Sequence, residues 1–104
     1  MQLNKRYRLE ADLTKNAKKW LDLQDDLTYM KISDRFNKGI SDILCCVNGI
    51  FVAVELKADD GHASPHQELF IKDIKKHGGI GGVCYTIMDV IALVVEARQL
   101  RQDS

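Results

Sequence analysis

A chain of 104 residues amounts to one domain, and at 45% hydrophobic it has a modest core that is marginal as a monomer, so dimerisation would help. Its 15 Lys and Arg balance 15 Asp and Glu, which excludes a general electrostatic grip on nucleic acid and leaves any such binding to local patches. The polar, charged start does not read as a signal peptide, and no apolar run approaches a membrane span, so the expectation is a soluble cytoplasmic protein with no membrane partner.

Residues from about Asn4 to Leu23 carry a helical stripe of Leu9, Leu13, Ala17, Trp20 and Leu21, with Glu10 on its edge. Lys5, Arg6 and Arg8 precede it, Lys15, Lys18 and Lys19 lie on it, and Lys72, Lys75 and Lys76 lie on a later helix; each group is a candidate basic patch or a solvated face. Leu27 to Ile32 predicts a strand, followed by a polar connection through Asp34, Arg35, Asn37, Lys38 and Gly39. Two apolar runs around Asn48-Gly49 then predict a hairpin, because both central residues of a type I′ turn need positive φ. Adjacent Cys45 and Cys46 must face opposite ways on a strand, and with Cys84 they make an odd number, so neither a disulfide framework nor a zinc site is indicated.

After a loop from Ala58 to Ala63, Ser64, Pro65 and Gln67 form a capping-box start. The helix they open runs to His77 with Phe70, Ile71 and Ile74 inward, and Gly78-Gly79 end it. Ile80 to Ile87 predicts a fourth strand, and Asp89 is placed to cap a last helix ending near Leu100. The order is α-β-β-β-α-β-α, without linker or repeat. His62 and His66 have a zinc-like spacing but straddle a loop and a helix start with no further ligand near in sequence.

The hairpin carries the chemistry. A two-residue loop pairs Val47 with Ile50 and, by the same sum, Asp42 with Glu55 on a non-hydrogen-bonded site, where Cβ atoms stand roughly 4.5–5.5 Å apart. Opposed like charges are tolerated if one carboxyl keeps its proton or a divalent cation sits between them, and oxygen-only ligation suits Mg²⁺ or Mn²⁺. Lys57 shares the face of Glu55, roughly 7 Å along the strand. It suits either a metal-bound water or phosphate oxygen, or the plain neutralisation of the two carboxylates at a solvated strand end. Ile50 to Leu56 is apolar on both faces, as in a strand covered on both sides, so a charge at Glu55 needs a partner or a purpose.

Gly39-Ile40-Ser41-Asp42, the hairpin, Glu55-Leu56-Lys57 and a following helix bearing Gln67 together resemble the PD-(D/E)xK nuclease signature, in particular the small stand-alone VRR-NUC (virus-type replication-repair nuclease) proteins of phages. Ser41 stands where many relatives have proline. The resemblance spans most of the chain and implies a single domain over 1–104 with a restriction-endonuclease-like α/β core, a mixed central sheet flanked by helices. It further implies Mg²⁺- or Mn²⁺-dependent phosphodiester hydrolysis by a homodimer acting on DNA, including branched forms such as four-way junctions, in the host cytoplasm if phage-encoded. By the same resemblance Asp42, Glu55, the Leu56 carbonyl and Glu10 hold the metal, and Asp42, Glu55, Lys57 and Gln67 form the catalytic set. Gln67 has a competing role as the capping-box residue. Two other readings stay open: a non-catalytic nucleic-acid- or partner-binding module on the same fold, and a nuclease of RNA or single-stranded ends.

Overall fold

The computed structural model describes residues 2–32, 39 and 41–103. The elements are α1 (Glu10–Asp22), β1 (Leu27–Lys31), β2 (Ile43–Val47), β3 (Ile50–Leu56), α2 (Pro65–Lys76), β4 (Ile80–Cys84) and α3 (Ile87–Gln102), in the expected order. The polar connection read through Asp34, Arg35, Asn37 and Lys38 lies outside the described residues. The strands form one mixed sheet in the order β1-β2-β3-β4, antiparallel except for β3 and β4, whose parallel pairing needs the α2 crossover. Among the described residues no helix is long and apolar enough to cross a membrane.

Period-two alternation separates the faces of the sheet. Ile43, Cys45 and Val47 of β2 and Val52, Val54 and Leu56 of β3 join the core against α1 and α3. Glu55 and Ala53 point to the other face, where α2 lies over β3 and β4 and a Cβ on Gly81 would meet Ile71 and Ala53. Cys45 is therefore buried and Cys46 exposed, and all three cysteines are free thiols. Ile71 alone is buried on α2, while Phe70 and Ile74 are half-buried. The helix covers only the β3–β4 side, and Met30 and Phe51 stand exposed on the sheet beyond it.

Three boundaries differ from expectation. α1 starts at Glu10 rather than near Asn4, with Leu9 as an extended N-cap residue, 61% exposed, that contributes no side-chain bond. The segment before it is a strap instead. Leu3 O accepts from Met88 N at 2.8 Å, Tyr7 O accepts from Asp59 N at 2.9 Å, and the Tyr7 ring enters the core at 5% exposure. β4 stops at Cys84, three residues early, because Thr86 is the N-cap of α3. Asp89, expected as that cap, is instead the third residue of the helix, its Oδ2 accepting from Thr86 N at 3.1 Å and Tyr85 N at 2.8 Å.

α2 closes with paired bonds, Gly79 N to Ile74 O at 2.9 Å and Gly78 N to Lys75 O at 3.2 Å, around Gly78 at φ 91°. A Cβ on Gly79 would lie 2.6 Å from Ile74 Cγ2 and 3.1 Å from Phe51 O. The β-branched Ile74 has little freedom to yield. Gly79→Ala is expected to lower stability by about 1–3 kcal/mol in urea unfolding; an unchanged midpoint would contradict the packing of this turn.

Candidate functional site

The site is built by the hairpin. Asn48 (φ 49°) and Gly49 (φ 88°) make the left-handed turn, and the pairs run from Val47 with Ile50 to Ile43 with Val54. One step further, Asp42 stands level with Glu55, just before β2 begins. Its backbone oxygen accepts from Ile32 N at 2.8 Å, and its carboxylate Oδ2 accepts from Leu56 N at 2.8 Å. Both ends of Asp42 are thus fixed by backbone donors from flanking strands.

Glu55 is the unusual group. It is fully buried, and among the described residues neither carboxyl oxygen has a hydrogen-bond partner. Lys57 Nζ forms an ion pair at 3.4 Å from Oε1, outside hydrogen-bonding geometry. Burial, reinforced by the neighbouring Asp42 carboxylate and opposed by Lys57, pushes the Glu55 carboxyl up to about 8. Of the two ways to tolerate the opposed carboxyls, a retained proton or a cation, this upward shift favours the first.

Lys31, which sequence reasoning did not single out, places Nζ 3.9 Å from Asp42 Oδ1. The β1–β2 register that sets Lys31 opposite Ile43 brings it there. Ser41 beside Asp42 is also fully buried, with no partner for its hydroxyl among the described residues.

Gln67 serves its cap: Oε1 accepts from Ser64 N at 2.9 Å while its own N–H donates to Ser64 Oγ at 3.2 Å. Of its two expected roles, this is the one its contacts fill. Gln67→Ala should therefore cost about 1 kcal/mol of stability in thermal unfolding and leave Lys57 and Glu55 in place. Glu10 is exposed in the first turn of α1, where its charge suits the helix dipole. Among the described residues no three His, Cys, Asp or Glu side chains come together as a metal site, so Glu10 is not gathered with Asp42 and Glu55. Leu56 contributes its N–H to Asp42, and its side chain is buried in the core.

Glu55 and Lys57 lie at the carboxyl end of the parallel β3–β4 pair, where ligands bind in open α/β sheets. An open groove of about 380 Å³ runs between α2 and β4, past Val83, the strand partner of Glu55, and carries Glu68 as well as Lys72 and Lys75. The chain matches no protein-family model, no curated protein and no solved structure.

Proposed function

We propose that the chain is a divalent-metal-dependent DNA endonuclease on a restriction-endonuclease-like core, a PD-(D/E)xK protein of the VRR-NUC type. The observation that carries the reading is the Glu55 carboxyl, buried without a hydrogen-bond partner between Asp42 and Lys57. Once ionised, a carboxylate buried there would call for a counter-ion beyond Lys57, and the donor set is all oxygen, as Mg²⁺ or Mn²⁺ prefers. Asp42, Glu55 and the Leu56 carbonyl would hold the ion, with waters filling the rest. Bound there, it supplies Lewis acidity to a water and to the scissile phosphate.

The chain's own residues do the remainder. Glu55 would release its proton to bulk water as its carboxylate became a ligand, and the fixed backbone donors hold Asp42 in place. Lys57 orients the attacking water and offsets negative charge on the pentacoordinate transition state. The groove bearing Lys72 and Lys75 offers a track for a phosphate backbone, and two sites held by a homodimer would place paired nicks on a four-way junction.

The second reading is a non-catalytic nucleic-acid- or partner-binding module. It draws on Asp42, whose carboxylate is already engaged by Leu56 N–H and Lys31. Cleavage of labelled four-way-junction, flap, linear duplex and single-stranded DNA, with RNA beside them, in Mg²⁺, Mn²⁺ or EDTA separates the two. Metal-dependent cutting with four-way junctions preferred is the expected result; binding without cutting in any metal supports the module. Cutting confined to RNA or single-stranded ends would keep the nuclease and replace its substrate.

A further inference from the structure

The loop that follows Lys57 is tied down from two directions. Its turn closes with Gly61 N to Ala58 O at 2.9 Å, and Asp59 takes a left-handed φ of 46°. The Gly61 carbonyl accepts from the Tyr85 hydroxyl at 3.0 Å, just beyond β4. The strap supplies the second tie: Arg6 Nη2 donates to Asp59 O at 2.8 Å while its guanidinium stacks over the Tyr85 ring, 4.4 Å from the centroid. Asp59 N donates in turn to Tyr7 O, and Tyr7 is anchored in the core.

This assembly bears on Lys57 through Gly61. A Cβ placed on Gly61 would stand 3.0 Å from Ala58 O and 3.5 Å from both Cβ and Cδ of Lys57, so the loop passes the aliphatic stem of the lysine with about a methyl's width between them. Lys57 N donates to Cys84 O, the residue before Tyr85, so the root of the side chain is fixed as well. The head meets Glu55.

We infer that Tyr85 and Arg6 are positioning residues for Lys57, bracing its stem through Gly61 so that the ammonium is held at the Glu55 carboxyl. A free lysine side chain samples many rotamers, and one held by packing is already oriented when the reaction begins. Arg6, one of the basic residues near the N-terminus, is on this account a structural tie to the site as well as a surface charge. The catalytic half of the inference rests on the nuclease reading; the physical half does not.

The test uses the whole protein and two variants, Tyr85→Phe, which deletes one hydroxyl and keeps the ring, and Arg6→Gln at an exposed position. Two readouts are taken: kcat and KM on the best-cut DNA of the panel, and the NMR signals of the two Lys57 ε-methylene protons, which are inequivalent in a held side chain and merge in a freely rotating one. Each variant is expected to lower kcat by about 10-fold, to leave KM within about 2-fold, and to draw the Lys57 protons together. Unchanged kcat, or a fall in kcat with the protons still inequivalent, overturns the brace. If the unmodified protein cuts no substrate, the nuclease reading fails, and the Lys57 spectrum alone decides whether Tyr85 and Arg6 hold the side chain.

Discussion

Lys57→Ala should cut metal-dependent cleavage by about 10²- to 10³-fold while leaving the protein folded. The side chain is 19% exposed and pairs with Glu55. Its backbone N–H to Cys84 O survives truncation, so β3 and β4 stay in register. What disappears is a cation beside Glu55: on the nuclease reading it would no longer offset transition-state charge, and the carboxyl, already raised by burial and by Asp42, loses a neighbour that lowers it. Metal loading should weaken as well, because a carboxyl that is harder to deprotonate is a poorer ligand at neutral pH. Raising the pH should then recover part of the loading but not the lost rate. Single-turnover cleavage in Mn²⁺ from pH 6 to 9, beside a thermal melt, reads both effects. Cutting at the unmodified rate by a folded Lys57→Ala protein would exclude Lys57 from the chemistry.

The features that were legible in the sequence have a common character: they are set by local rules. Asn48-Gly49 sets a turn, the turn sets a register, and the register puts Asp42 level with Glu55 independently of any tertiary contact. Residues 50–56, apolar on both faces, announced a covered strand, and Glu55 is indeed fully buried there. The capping box of Ser64 and Gln67 was equally local.

Illegible were the features decided by partners distant in sequence. Leu9 matches the helical stripe of Leu13, Ala17 and Leu21, yet Tyr7 is drawn into the core and residues 3–7 bond to Asp59 and Met88, so α1 cannot start until Glu10. Thr86 and Asp89 both qualify as caps; the reciprocal pair of bonds, visible only in three dimensions, assigns the first as N-cap and the second as N3. Lys31 reaches Asp42 through the pairing of β1 with β2, and no spacing rule gives that pairing across the intervening connection. The Arg6–Tyr85–Gly61 contacts join three separated segments and left no motif behind.

The metal-free protein should lose stability as pH rises from about 5 to 8, and Glu55→Gln should abolish most of that loss. The Glu55 carboxyl titrates near its ordinary 4.5 in the unfolded chain and at about 8 in the folded one. Below 4.5 both states are protonated, and the contribution of the neutral buried carboxyl is fully present. Between the two values the unfolded chain has released its proton and the native protein has not, so each pH unit costs about 1.4 kcal/mol. The loss is complete above pH 8, on the order of 5 kcal/mol in all. Asp26, held below its usual value by Arg98, acts the opposite way and at lower pH, since its contribution is lost only as pH falls through the acid range. The two therefore do not cancel in the window of interest. A glutamine at position 55 keeps the shape of the side chain and removes its charge; its amide still lacks a partner, a smaller cost than an ionised carboxylate in the same place. The variant should be more stable than the unmodified protein at pH 8 and less different at pH 5. Mn²⁺ adds a second arm. Because the ion favours the ionised carboxyl, it should raise the melting temperature of the unmodified protein increasingly from pH 6 to 8 and leave Glu55→Gln nearly unmoved. Urea midpoints across that range, with and without Mn²⁺, measure both arms. Parallel pH profiles for the two proteins would show that Glu55 is not the strained carboxyl of the fold, and equal Mn²⁺ shifts would move the metal elsewhere.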